Sequence, residues 1–320
     1  MIMIKRIAEE IAALNSFLIT THESPDGDAV GSSLALARYL TCLGKDVTVY
    51  LCDPVPDVYQ FLPMAERVVQ ELPDRSFDAC FVLDVGEFRR AGKAITDCRT
   101  IGKFINIDHH LNCEDFGEIN YVDTTACATG ALVYRIIEAA GHEIDYDIAL
   151  CIYTAVITDT GSFRYSNANP EAFAIAAKMV EKGINAWDVA EKLYESQPQN
   201  RLQLLAMALA TLSFSPFGDY ASIAVTLDMY QKCNASAELT DGFVNYPRSI
   251  KGVEVAIFFR EIRDGLFKVG FRSKGKVDVS ALAAAFSGGG HHNAAGCTIE
   301  GSLPAVKEKV FTLLEKSLRK

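Results

Sequence analysis

Four short apolar runs in the first third of the chain limit what it can become. They are residues 16–21 (SFLITT), 46–51 (DVTVYL), 78–83 (DACFVL) and 103–107 (KFINI), each bounded by turn-forming residues. Segments with helical periodicity alternate with them or follow, at 29–43, 126–140, 147–158 and, after the start signal Asn169-Pro170, 171–183. Strands alternating with helices predict an α/β domain with a largely parallel sheet and flanking helices.

Beyond residue 212 the pattern changes. Residues 221–228, 253–260 and 266–272 read as strands, the last two joined as a hairpin across Arg263-Asp264-Gly265. Helical patterns at 278–286 and 304–318 complete a smaller α+β unit. The intervening 187–212 is helical in period but interrupted at Gln197-Pro198-Gln199. The expected layout is therefore a domain over 1–186, a helical linker over 187–212 and a second domain over 213–320.

The chain has 320 residues, 49% of them hydrophobic, so it can bury enough apolar surface to offset its ordering entropy. No apolar run approaches the ~18 residues a membrane span needs. Glu9 and Glu10 interrupt the N-terminal apolar stretch, unlike a signal peptide. Nine scattered cysteines without a Cys-x-x-Cys pair argue against a disulfide framework or a structural zinc site. These features predict a cytoplasmic protein without a membrane partner.

Charge is divided unevenly. Residues 1–212 carry 17 basic and 30 acidic side chains, a net of −13, whereas 213–320 carry 14 and 11, a net of +3. Such a field repels long duplex nucleic acid. It suits a small phosphate-bearing ligand held through cations, although a merely solubilising acidic surface would look the same.

Histidine concentrates the chemistry. Five of the six fall in three polar clusters: His22 in THESPDGDAVGSS, His109 and His110 in NIDHHLN, and His291 and His292 in GGGHHNAAG. In HESPDGD, His22, Asp26 and Asp28 share one strand-to-helix loop, with Pro25 and Gly27 supplying tight bends. A helix cap alone would explain Asp28, but not His22 or Asp26. Asp84 directly follows one predicted strand, and Asp108, His109 and His110 directly follow another. In open α/β sheets, ligands bind outside those carboxyl ends. Asp159 ends an apolar helix, where the macrodipole opposes an acid and suggests an external partner. Gathering four carboxylates without cations would raise their pKa values, and metal ions resolve the conflict. In the smaller unit, Gly288-Gly289-Gly290 can offer backbone N–H groups to an anion, assisted if a helix starts there. Arg272 and His291 can add side-chain donors. The competing reading of the triple glycine is a flexible turn.

Taken in order, HESPDGD (22–28), the post-strand Asp84 in VLDVGEFRR, Asp108-His109-His110, TDTGSF (158–163) and GGGHHNAAG resemble the motifs of the DHH phosphoesterase superfamily with its DHH-associated C-terminal domain. The layout is most similar to the nanoRNase/pAp phosphatase group. The resemblance implies hydrolysis of short oligoribonucleotides and of 3′-phosphoadenosine 5′-phosphate by two divalent ions. Mn²⁺ suits the mixed ligands best, with Mg²⁺, Co²⁺ or Zn²⁺ as substitutes. It assigns one ion to His22, Asp26 and Asp84, and a second to Asp28, Asp84, His109 and Asp159. Asp108 would orient the site and His110 would contact the reacting phosphate. Arg272, Gly288, Gly289, Gly290 and His291 would hold the terminal phosphate or nucleotide. The partners implied are short oligonucleotides or small nucleotides, and a homodimer is compatible with the resemblance. Gly86-Glu87 and Ala131 depart from residues common in the family without removing a proposed ligand. Dinucleotide phosphodiesterase, pyrophosphatase or polyphosphatase activity stays open, as does a nucleotide-binding regulatory module.

Overall fold

A computed structural model describes residues 2–318. The chain divides into two compact units, Met1–Ser196 and Gln197–Lys320. In the first, five strands, β1 (Ser16–Thr20), β2 (Asp46–Val49), β3 (Ala79–Leu83), β4 (Phe104–Asp108) and β5 (Ile119–Val122), form one sheet in the order β2-β1-β3-β4-β5. Every pairing is parallel. The helices are α1 (Ile2–Ala13), α2 (Gly27–Cys42), α3 (Lys93–Thr96), α4 (Thr129–Ala139), α5 (Tyr146–Asp159), α6 (Pro170–Glu181) and α7 (Ala186–Ala190). Phe17, Ile19, Phe81, Leu83, Ile105 and Ile107 face a core shared with α2, α4 and α5. Leu18, Cys80 and Val82 face the opposite layer around Ile95. Burial on both faces is why these strands read as continuous apolar runs. The α/β class expected from the sequence is the class observed. β5 has no counterpart in the sequence reading, because a four-residue edge with only Ile119 buried carries little apolar signal.

Strand order reverses between β1 and β3, the crevice where open parallel sheets collect ligands. Close helix packing brings further residues to the same end. A Cβ on Gly31 of α2 would lie 2.6 Å from the Cys151 carbonyl of α5. One on Gly130 of α4 would lie 2.4 Å from the Ala155 Cβ of α5. Both helices therefore reach α5 at a separation that only glycine permits.

The second unit holds α8 (Gln199–Ala210), β6 (Ser213–Phe214), β7 (Tyr220–Val225), α9 (Leu227–Cys233), α10 (Asn245–Ser249), β8 (Val255–Arg263), β9 (Leu266–Ser273), α11 (Val279–Ala284), β10 (Gly289–His291), β11 (Ala294–Glu300) and α12 (Leu303–Leu318). Its sheet runs β10-β11-β9-β8-β7-β6. The β7–β8 pair is parallel and the other pairs are antiparallel. The β8–β9 hairpin turns at Asp264-Gly265, with Gly265 at φ 65°. The segment 187–212 is not one linker. Its first part stays with the first unit, while α8 belongs to the second, where Leu204, Leu205 and Ala208 are buried with Ile223, Val225 and Phe243. An apolar helix face has to be covered, and the second sheet covers it.

Candidate metal centre

The loop after β1 begins the site. His22 is buried, and its Nδ1 lies 2.8 Å from the Glu23 carbonyl. A carbonyl only accepts, so Nδ1 carries a proton, and Nε2 is the ring nitrogen turned toward the acids. Nε2 lies 4.0 Å from Asp26 Oδ1 and 3.8 Å from Asp84 Oδ2. α2 starts earlier than the sequence suggests. Asp26 is its N-cap, accepting from the N–H groups of Asp28 and Ala29, so Asp28 lies inside the first turn. The Asp28 carboxylate caps a different helix, accepting from Thr129 N (2.6 Å) and Gly130 N (2.8 Å) at the start of α4.

Asp84, immediately after β3, adopts φ 59°, a left-handed conformation that costs a non-glycine residue roughly 1–2 kcal/mol. Such strain persists where the surroundings enforce it, and it marks functional positions. Oδ1 of Asp84 accepts from Thr129 Oγ1 (3.0 Å) and lies 3.5 Å from His109 Nε2. The same His109 nitrogen lies 3.7 Å from Asp28 Oδ2 and 3.7 Å from Asp159 Oδ2, while its Nδ1 faces the Ala126 carbonyl at 3.3 Å. Asp159 is the last residue of α5.

Asp108 is fully buried, and its oxygens are already engaged. Oδ2 accepts from Gly86 N (2.6 Å), and Oδ1 from His110 N (2.9 Å) and His110 Nδ1 (2.7 Å). It orients His110 and has little left to offer an ion.

Three overlapping triads, His22–Asp26–Asp84, Asp28–His109–Asp159 and Asp84–His109–His110, each keep their donor atoms within 4.8 Å of one another. Among the described residues, no lysine or arginine pairs with Asp26, Asp28, Asp84 or Asp159; their ion-pair contacts are to histidines. The electrostatic cost is visible. Burial, then the charges of Asp84 and Asp159, pushes the Asp28 carboxyl well above its usual range. Burial pushes Asp159 up to about 7 against the opposing charge of His109, with Asp84 and Asp26 adding to the rise. Burial alone would lower His109, but contact with Asp84 and the charges of Asp84, Asp28 and Asp159 push it up to about 11. Burial would raise Asp84 and Asp108, yet the neighbouring histidines hold both below the ordinary carboxylate value. Separations of 3.5–4.0 Å are too long for hydrogen bonds. They approach the ~3–3.5 Å between donors that share an ion at about 2.1 Å. The donor set thus fits divalent cations, whose charge would relieve the crowding.

Thr129, Gly130 and Asn167 support this centre without having been singled out as site residues by the sequence. Thr129 acts through its backbone N–H and hydroxyl, Gly130 through its N–H and the absence of a side chain, and Asn167 through its amide, none of which has a motif.

In the second unit Gly289 and Gly290 begin an edge strand, Gly288 precedes it, and no helix starts there. Gly289 pairs with Gly296, Gly290 with Ala295 and His291 with Ala294. A Cβ on Gly288 would lie 2.2 Å from the Gly296 carbonyl and one on Gly290 2.5 Å from the Ala294 carbonyl, whereas Gly289 faces open space. Two of the three glycines therefore serve strand packing. Arg272 of β9 also pairs with Ala294, which puts it on the same rung as His291 across three strands. The Arg272 Nη1 donates to the Phe271 carbonyl at 3.0 Å. The His291 side chain lies outside the described residues. His292 faces the Gly275 carbonyl through Nε2 at 3.0 Å.

An open parallel sheet with acids and histidines gathered at its switch point defines a class of protein, and sequence comparison identifies it. Residues 16–156 match the DHH family, N-terminal domain, and 223–320 match the DHHA1 domain, so the chain belongs to the DHH family. It is a phosphoester hydrolase. It is 33% identical over 98% of its length, and 93% of the relative's, to the bifunctional oligoribonuclease and PAP phosphatase NrnA of Thermus thermophilus. It is 27% identical over 90% of its length, and 91% of the relative's, to the protein of that name from Bacillus subtilis. Among solved structures, an exopolyphosphatase-related protein from Bacteroides fragilis matches with TM-score 0.91 and 32% identity, covering 99% of this chain and 95% of that one. Among the described residues, no helix is long and apolar enough to cross a membrane.

Proposed function

We propose that the protein hydrolyses short oligoribonucleotides and 3′-phosphoadenosine 5′-phosphate in the cytoplasm, using two divalent ions. The observation that carries this reading is the position of Asp84, whose two oxygens face His22 on one side and His109 on the other. His22, Asp26 and Asp84 would hold one ion, and Asp28, Asp84, His109 and Asp159 the second. Bound there, such ions, Mn²⁺ by the character of the donors, would supply polarisation of water and of the phosphoryl oxygens.

The chain's own residues do the rest. Asp108 fixes the His110 proton on Nδ1 and sets the direction of the ring. Burial alone would lower His110, but its hydrogen bond to Asp108 and the charge of Asp84 favour the protonated form. His110 would thus donate to an oxygen of the reacting phosphate as negative charge grows there. Arg272, together with Gly289, Gly290 and His291, would hold a terminal phosphate through side-chain and backbone donors, whereas the expected Gly288 donor is already given to the Ala283 carbonyl at 2.9 Å. The names borne by the Thermus and Bacillus relatives support the choice of substrates. The likeness to the exopolyphosphatase-related protein of Bacteroides fragilis favours a second reading, polyphosphate hydrolysis.

The test is incubation of the purified protein with Mn²⁺ and, separately, pAp, a 5-mer RNA, pApA and pyrophosphate. Release of phosphate from pAp and of mononucleotides from the 5-mer is expected. Cleavage of pyrophosphate alone would overturn the substrate assignment.

A further inference from the structure

Asn167 belongs to none of the triads, yet its amide reaches the centre from behind. Its Nδ2 lies 3.0 Å from Asp159 Oδ2, 3.2 Å from the Asp159 carbonyl and 2.9 Å from the Cys127 carbonyl. An amide nitrogen carries two hydrogens, so one serves Cys127 and the other is shared by the two oxygens of Asp159. The Oδ1 atom of Asn167 is buried without a partner. Leaving that acceptor unmade is costly, so what the side chain contributes there comes from what it donates.

The intervening backbone is built to bring Asn167 back. Gly161, Ser162 and Phe163 have φ of 56°, 59° and 60°, three successive residues in the left-handed region. Such a run is strained for serine and phenylalanine. The turn is held by the N–H of Phe163, which donates to Thr160 Oγ1 at 3.1 Å. The Tyr165 ring lies against Gly161 so closely that a Cβ would sit 2.4 Å from it. The chain therefore reverses directly after α5, and the residue eight positions beyond Asp159 returns to it.

Asp159 needs such a partner. It ends a helix, where the unsatisfied carbonyls repel a carboxylate, and a lone aspartate there would turn toward solvent. We propose that Asn167 is a positioning residue, whose amide aims the Asp159 carboxylate at Asp28 and His109 and so sets the affinity of the ion that Asp28, Asp84, His109 and Asp159 would hold. The proposal rests on the reading of Asp159 as an ion-holding group. Outer partners of this kind typically change metal affinity 10–100-fold when removed.

The experiment uses the full chain stripped with EDTA, with Mn²⁺ binding followed by calorimetry and by electron paramagnetic resonance. Asn167→Ala and the near-isosteric Asn167→Leu are compared with wild type and with Asp159→Asn. Asn167→Leu keeps the volume if the smaller side chain leaves the protein unfolded. One of two Mn²⁺ sites is expected to weaken about 10–100-fold in both Asn167 variants, with the other unchanged. A purely structural role would leave both affinities of the folded protein alone. Wild-type affinity in the Asn167 variants, beside a loss in Asp159→Asn, overturns the positioning role only. Wild-type affinity in Asp159→Asn overturns the ion-holding reading and this proposal with it.

Discussion

The backbone N–H of Thr129 donates to the Asp28 carboxylate across 2.6 Å, although the two residues are 101 positions apart in the chain. A helix that lacks a cap of its own, since Ala128 offers no side-chain bond, is thereby capped from another helix. Asp28 then has two duties that a substitution can separate. Thr129 N and Gly130 N each use a different oxygen, so asparagine keeps one acceptor for the cap, turns its NH2 toward the other N–H and loses the charge. Asp28→Asn should melt in EDTA close to the wild-type temperature, because relief of repulsion from Asp84 and Asp159 offsets the lost cap bond. Its Mn²⁺ affinity should fall at least about tenfold. A large drop in melting temperature would show that the second cap bond outweighs the repulsion.

Asp84→Asn removes the charge from the one acid common to two triads. Mn²⁺-dependent hydrolysis should drop by about three orders of magnitude or more, with the circular dichroism spectrum retained. Turnover near the wild-type rate would remove Asp84 from the bridging position.

Acidity should oppose metal binding. In the metal-free protein Asp159 titrates at about 7 and His109 at about 11, and an ion must displace both protons. Mn²⁺ affinity should therefore rise from pH 6 to pH 8, with proton release measurable by calorimetry in two buffers of different ionisation enthalpy. Stability without metal should run the other way. A raised Asp159 gives stability that is lost as pH climbs from 3.8 through about 7, and a raised His109 stability that is lost from 6.5 through about 11. The melting temperature in EDTA should decline between pH 6 and pH 9. A rising curve would contradict the crowding of charges described here.

The glycine contacts between helices are equally open to test. Gly31→Ala would place a methyl 2.6 Å from the Cys151 carbonyl, which belongs to backbone and cannot swing aside. A destabilisation of about 1–3 kcal/mol is expected, read from urea unfolding. Asp28, one turn earlier on the same helix, would be displaced with it, so Mn²⁺ affinity should fall in the variant as well.

Arg272→Ala probes the second unit. If its guanidinium holds a terminal phosphate equally in ground and transition states, KM for pAp should rise while kcat stays constant. An unchanged KM would exclude Arg272 from substrate binding.

Much of this was legible in the chain because the strands of the first unit are buried on both faces, and continuous apolar runs mark where each one stops. Asp84 and His109 stand directly after such runs, so their place at one rim follows from strand direction alone. The start of α2 was less legible: Asp26 and Asp28 are both good caps, and only geometry chooses Asp26. β10 was hidden because Gly289 and Gly290 have no side chains with which to signal a strand. Asn167 and Thr129 were hidden for a different reason: their partners lie 8 to 101 positions away, and hydrogen bonds at that range leave no periodic trace.

The repulsion stored among Asp26, Asp28, Asp84 and Asp159 also bears on how long the protein survives. Ligands that bind only the folded state stabilise it by mass action, about 2.7 kcal/mol for each ion at a hundredfold excess over Kd. If the centre holds divalent ions as proposed, a cell starved of them would hold a looser enzyme, opening more often and presenting its chain to proteases. Scarcity would reduce the number of molecules as well as the speed of each, and trypsin digestion with and without Mn²⁺ would measure the difference.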